Sequence, residues 1–214
     1  DKNSQDISYR GKLMTFGKDE AADYRFYDAE ILDGRQKFMT DKFDKIEITV
    51  PGLYNIYNAM AAVSAADYLG LNKHQIWNAL REFHGTWRRF EIVGQLKSNI
   101  IISDYAHHPE SIAMLLRAAK DFYPDKKIIA VFQPHHHNRT KTLLDEFAKS
   151  FYLADQVIVL EIYQVSGRED KQPEAVTSQD LLAKMNHAKK YYAADFKEIK
   201  SIIKKINPVN SIIL

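Results

Sequence analysis

The chain has 214 residues, 45% of them hydrophobic and 27% charged, with a formal net charge of +2. That balance belongs to a globular protein and excludes a disordered or fibrous one. The charge is too small, and too interleaved in stretches such as Lys45-Ile46-Glu47, for a nucleic-acid surface. There is no cysteine, so disulfide and thiol chemistry are excluded, and no apolar run approaches the ~20 residues of a membrane-spanning helix. The polar start, Asp1-Lys2-Asn3-Ser4, carries no secretion signal; the expectation is a cytoplasmic protein, or a piece cut from a longer one.

The first fifty residues alternate polar and apolar positions. Residues 8–10, 25–31 and 45–50 are expected strands with one buried face, and Asp33-Gly34 is a turn between two of them. Together they make a small antiparallel sheet. Pro51-Gly52 breaks the pattern, and the Ala-rich stretch 54–69 predicts a helix stopped by Gly70. Asn72 is the expected cap of a second helix running to Phe83, with Ile76, Leu80 and Phe83 on its apolar face. A domain boundary is expected here, giving an α+β portion over 1–86 and a second domain over 87–214.

Beyond the boundary, strands and helices alternate. Buried strands are expected at 100–102, 127–132 and 156–160, and helices at 109–122, 140–151 and 178–185. Two further strand candidates lie near 190–192 and 211–214. Continuous apolar strands separated by helices predict an α/β domain, a Rossmann-like, mostly parallel sheet with helices on both faces. The last strand stops at Leu214, so the expectation is a domain truncated at its end.

Two polar loops follow buried strands: Ser103-Asp104-Tyr105-Ala106-His107-His108-Pro109 and Gln133-Pro134-His135-His136-His137-Asn138-Arg139-Thr140. They hold five of the eight histidines, and in an open α/β sheet both belong on the carboxyl edge where ligands bind. Pro109 and Thr140 also serve as helix-start signals. The histidines with Asp104 are the right donor types for zinc or manganese, but neighbouring strand residues point to opposite faces, so only His135 and His137 of that run could converge. No protein metal site is expected. Neither Gly11-Lys12 nor Gly17-Lys18 has the glycine five residues earlier that a phosphate-cradling loop requires.

Four segments in register resemble the Mur ligase family of peptide ligases, and within it the branch that adds L-alanine to UDP-N-acetylmuramic acid. They are residues 51–62, beginning Pro-Gly-Leu-Tyr-Asn; Gly85-Thr86-Trp87-Arg88-Arg89-Phe90-Glu91; Asp104-Tyr105-Ala106-His107-His108-Pro109; and Phe132-Gln133-Pro134-His135 with Arg139-Thr140. The resemblance implies that 1–86 is the end of a central ATP-binding domain and 87–214 the C-terminal ligase domain. It implies ATP-dependent amide formation: ATP phosphorylates the muramyl carboxylate and the alanine amine attacks the acyl phosphate. By resemblance, Asn55 and Asn58 contact adenine, Asp104 the ribose hydroxyls, Tyr105 the nucleotide, and Arg89 the phosphates. His107 and Arg139 are the expected catalytic residues, and they bind substrate together with His135 and His136.

The implied cofactors are ATP and magnesium, with the magnesium ligands mostly upstream. The implied partners are small molecules, UDP-N-acetylmuramic acid and L-alanine, with no nucleic acid or membrane. The chain departs from the family pattern at Tyr54, usually His; at Ser103-Asp104, usually two acidic residues; and at His136, usually Arg. Imidazole grips an anion less firmly than guanidinium near neutral pH, so the last departure implies an altered amino-acid pocket. Without the upstream domains the 214 residues are expected to be inert. Two rival expectations stand beside this one: a recycling ligase that attaches a tripeptide to the same acceptor, and a metal-dependent phosphoesterase built on the histidines.

Overall fold

The structure, a computed structural model, describes residues 10–163 and 176–214, which fall into two units, Asp1–His84 and Gly85–Leu214. The strand expected at 8–10 lies outside the described residues, apart from Arg10.

The first unit has a four-stranded sheet ordered β1-β2-β3-β4. β2 (Tyr24–Leu32), β3 (Arg35–Thr40) and β4 (Asp44–Ile48) are antiparallel, whereas β1 (Phe16–Gly17) joins β2 in parallel. Asp33-Gly34 makes the β2–β3 turn, with both residues at positive φ. The sequence pattern does not mark β3, because two of its inward positions are the polar Gln36 and Thr40, 4% and 3% exposed.

Helix α1 (Leu53–Tyr68) packs Ile56, Met60 and Val63 against Phe26, Phe38 and Ile48. It ends in a Schellman arrangement: Leu71 N–H donates to Ala66 O and Gly70 N–H to Asp67 O, with Gly70 at φ 82°. Helix α2 (Lys73–Glu82) opens with the reciprocal cap between Asn72 and Gln75. Ile76 is buried as its pattern predicts; Phe83 is not, because it is the extended C-cap and 44% exposed. Tyr24 ties the sheet to α1 by donating its hydroxyl to Asp67 at 2.8 Å; burial and that carboxylate push the phenol up to about 12.

The second unit is a six-stranded sheet ordered β5-β6-β10-β7-β8-β9. β6 (Asn99–Ser103), β7 (Lys127–Phe132), β8 (Gln156–Leu160), β9 (Lys190–Ala193) and β10 (Ser211–Ile213) are parallel. Only β5 (Glu91–Leu96), an exposed edge strand with an irregular register around Gly94, runs antiparallel, and the sequence pattern does not mark it. α3 (Pro109–Phe122) begins with Pro at its first turn, as expected.

The helix expected over 140–151 is two helices, α4 (His137–Thr142) and α5 (Leu144–Ser150), broken at Leu143. Thr140 does not start a helix. It lies inside α4, fully buried, with its hydroxyl and N–H both donating to His136 O.

α6 (Ser178–Lys184) is capped by Thr177, and α7 (Phe196–Ile206) by Asp195, whose carboxylate accepts from Lys197 and Glu198 N–H. The sequence reading leaves α7 without an element, although Ile199, Ile202, Ile203 and Ile206 are spaced for one helical face. That face packs on Ile129, Val131, Ile158 and Leu160, while Phe132 meets Phe147 and Phe151 on the opposite side of the sheet. The sheet is therefore covered on both faces.

Lys190 holds the end of α6 by donating from Nζ to Leu182 O at 2.6 Å and Met185 O at 2.7 Å. Lys190→Met is expected to cost about 1 kcal/mol in urea unfolding, the net worth of a capped helix end. An unchanged midpoint would show that water serves those carbonyls equally well.

Candidate active site

Each unit carries some of the residues singled out by the sequence. In the first, Gly52 turns the chain out of β4 at φ 95° and ψ 138°, a conformation open essentially to glycine. This starts α1 at Leu53 and puts Asn55 and Asn58 one turn apart on the same face. Asn55 Nδ2 donates to Pro51 O at 2.6 Å, and Asn58 Nδ2 donates to Asn55 Oδ1 at 3.1 Å. Asn58 is exposed and Asn55 half-buried.

In the second unit, β6 and β7 are both parallel partners of β10, so their polar loops leave the same carboxyl edge. Asp104 organises the first loop. Its Oδ2 accepts from Phe90 N–H and its Oδ1 from Ala106 N–H, both at 2.7 Å. Tyr105 N–H in turn donates to Arg88 O at 2.9 Å. The 88–90 segment is thus bound to this loop from both sides, with Arg88 and Phe90 held at φ 53° and 48°. Left-handed backbone at two non-glycine residues is strained, and such strain concentrates at functional sites.

The Arg88 guanidinium sits 4.8 Å from the Tyr105 ring and 5.5 Å from the Trp87 ring; Arg89 lies 6.0 Å from Tyr105. The His107 ring is 4.9 Å from that of Tyr105, and His107 Nδ1 is 2.8 Å from Tyr105 O.

The second loop is shaped by the end of β8. His135 bridges to Tyr163, whose ring is 5.2 Å from the imidazole; Tyr163 N–H donates to Pro134 O and His136 N–H to Tyr163 O. His136 then takes a left-handed turn at φ 66° and caps α4, which carries His137 and Arg139. The three histidines are therefore not a strand run. His137 leaves the cluster, its Nδ1 2.6 Å from Val176 O, so His135 and His137 do not converge. Among the described residues, no three His, Asp or Glu side chains gather where a metal ion could sit.

The two loops lie close enough for charge on the first to bear on the second. Burial lowers His135 from its ordinary 6.5, and the positive charge of His107, His136, Arg139 and Arg88 lowers it further. Arg88 is thus a member of the cluster, whereas the sequence singled out Arg89. The Arg-Arg doublet was visible, but the positive φ at Arg88 was not. Tyr163 was similarly legible only as a residue following a strand.

A base lowered in the folded state takes up its proton more readily when unfolded, so stability falls as pH drops through about 6.5. His135→Asn should lack this contribution, and its stability relative to wild type should improve between pH 7 and pH 5 in urea titrations. A constant difference over that window would contradict the assignment.

The sequence profile of the family described as "Mur ligase, glutamate ligase domain" matches residues 88–214. The chain belongs to the Mur ligase family. A UDP-N-acetylmuramate--L-alanine ligase from Sulfurihydrogenibium sp. (strain YO3AOP1) is 37% identical over 205 residues, 95% of this chain and 44% of the relative. One of the same name from Alkaliphilus metalliredigens (strain QYMF) is 46% identical over 135 residues, 63% of this chain and 28% of the relative.

Among solved Mur ligase structures, the UDP-N-acetylmuramate-alanine ligase of Thermotoga maritima matches with a TM-score of 0.75 and 30% identity, covering 94% of this chain and 43% of its own. A murein peptide ligase from Psychrobacter arcticus 273-4 matches with 0.59 and 23%, covering 93% and 42%, a likeness of fold. The chain spans about half the length of the relatives it matches.

Proposed function

We propose that this chain is the C-terminal part of an ATP-dependent ligase that joins L-alanine to the carboxylate of UDP-N-acetylmuramic acid, a step in peptidoglycan precursor synthesis. One observation carries the reading. Arg88, His107, His136 and Arg139 all bring positive charge to bear on His135 at the carboxyl edge of the sheet, and none of the five has a carboxylate ion pair among the described residues. Such a cluster is suited to an anionic ligand. The identity to alanine-adding relatives supports the choice of substrates.

In this reading Arg139 grips a substrate carboxylate with its planar guanidinium, and His107, His135 and His136 add donors beside it. Asp104 accepts from the ribose hydroxyls through lone pairs its two backbone contacts leave open, and Tyr105 lies beside the nucleotide. Arg89, joined by Arg88, faces the phosphates, and Asn55 and Asn58 offer amide edges to the adenine.

ATP supplies the phosphoryl group that activates the muramyl carboxylate. The alanine amine then attacks that carbonyl, phosphate leaves, and the amine gives up a proton. Magnesium accompanies the phosphates in this reading, with its ligands mostly in the upstream part of the central domain. Among the described residues no helix is long and apolar enough to cross a membrane, which agrees with a cytoplasmic enzyme.

The test extends the chain upstream to the length of its relatives and follows phosphate release from ATP. Release should require both UDP-N-acetylmuramic acid and L-alanine, and the 214 residues alone should be inactive. Release with a tripeptide but not with alanine would move the protein to the recycling branch. Turnover by the 214 residues alone would refute the division of labour.

A further inference from the structure

Gln36 is a buried amide side chain, 4% exposed, on β3 beside the 50–52 loop that leads into α1. Its Nε2 donates to Val50 O at 2.6 Å and Gly52 O at 3.1 Å. The carbonyl between them, Pro51 O, accepts from Asn55 Nδ2. Consecutive carbonyls of the loop are thus held by side-chain amides. Asn55 Oδ1 then accepts from Asn58 Nδ2, and the relay ends at an exposed side chain.

An amide can turn over and exchange its donor for its acceptor, unless a neighbour forbids it. Here each neighbour does. Turning Asn58 would bring its oxygen against Asn55 Oδ1. Turning Asn55 to suit would set its oxygen against Pro51 O, and Gln36 fixes that carbonyl through both flanking ones. Gln36 cannot turn either, because its oxygen would then face the same carbonyls.

We propose that Gln36, Asn55 and Asn58 form a relay of amides that fixes which way the Asn58 amide faces and so sets the purine preference of the nucleotide site. This rests on the nucleotide reading given above. Among the described residues Asn58 keeps one N–H and its oxygen unpaired, a donor–acceptor pair that matches ring N1 and the N6 amino group of adenine. Hypoxanthine reverses both, with N1–H and O6. A locked Asn58 rejects it, and an Asn58 free to turn accepts both. Asn58 then makes the discriminating contact and Gln36 is a positioning residue, while Asn55 both positions Asn58 and offers its own edge to the base.

The test compares KM for ATP and for inosine triphosphate in the ligase restored to the length of its relatives. Gln36→Met, similar in size but unable to donate, should leave kcat at saturating ATP within about twofold. The preference for ATP over inosine triphosphate should fall about tenfold, the scale of one or two lost hydrogen bonds. Asn55→Ala frees Asn58 in the same way. It also removes the edge Asn55 offers to the base and should raise KM for both nucleotides, so the ratio of the two KM values decides the matter should Gln36→Met fail to fold.

A purely structural role for Gln36 would lower the melting temperature and leave the preference intact; a folded Gln36→Met or Asn55→Ala protein with unchanged preference therefore overturns the relay. Asn58→Ala separates the two levels of the argument. It should raise KM for ATP at least tenfold, and an unchanged KM overturns the nucleotide reading itself.

Discussion

Asp104→Ala is expected to abolish ATP-dependent phosphate release in the extended ligase and to destabilise the second unit as well. The carboxylate accepts from the N–H groups of Phe90 and Ala106, and both are left without their partner when it is removed. Hydrogen bonds to a charged acceptor contribute about 1.5–3 kcal/mol each, and the two donors recover part of this from water. A loss of about 2–4 kcal/mol in urea unfolding of the 214-residue chain is the expected result.

Activity should fall further than stability explains, at least a hundredfold under conditions where the variant is still folded. The reason is that Asp104 binds Phe90 N–H to the loop and so holds the strained 88–90 segment, with Arg88 stacked on Tyr105, in place. Asp104→Asn sharpens the comparison. It keeps one oxygen acceptor but turns an N–H towards the second backbone donor, and it should lie between wild type and Asp104→Ala. A folded Asp104→Ala enzyme with wild-type turnover would remove Asp104 from the site.

Gly52→Ala should cost about 2–3 kcal/mol, since strain of this kind is worth roughly 1–3 kcal/mol and a steric misfit adds to it. A β-carbon at this position would stand 2.5 Å from Tyr54 Cε1 and 2.9 Å from Cζ. It would also sit on backbone at φ 95°, where L-residues are rarely found. The two contributions separate experimentally. In a Tyr54→Ala background the clash is gone and the conformational strain stays, so about half of the cost should persist. An unchanged urea midpoint in Gly52→Ala would mean that the loop relaxes freely, and the rigid amide relay above it would lose its foundation.

These sites differ in how much of them the sequence disclosed. α3, β7 and β8 were legible because their apolar residues are continuous or helically spaced and bounded by turn signals. β3 was hidden by Gln36 and Thr40, whose inward positions depend on hydrogen bonds that only the fold supplies. β5 was hidden because an edge strand with little burial has no apolar pattern to show. The helix starts three residues upstream of Thr140, after the positive-φ turn at His136, and breaks at Leu143, and no helix signal in the sequence marks either point.

The site loops were visible as polar crowding after buried strands. The direction of their side chains was not. Strand alternation paired His135 with His137, whereas the backbone reversal at His136 sends His137 towards Val176 and leaves His135 with Tyr163. In the same way, nothing in an Arg-Arg doublet says that Arg88 is the one that joins His107, His135 and Arg139.

The place of β10 between β6 and β7 bears on how fast the second unit can form. Ile212 pairs with Ile100 on one side and Ile128 on the other, and Ser211 N–H donates to Asn99 across 112 positions of chain. β6, α3 and β7 are neighbours in sequence and can collapse early, but the slot between the two strands stays open until the far end of the chain arrives. Contacts of such separation carry a large loop-closure entropy and slow the search. Until the slot is filled, β6 and β7 each present an edge of unpaired backbone N–H and C=O groups, and any strand that reaches them first competes with β10. Refolding of this unit should therefore be slow and sensitive to protein concentration, with aggregation as its characteristic error.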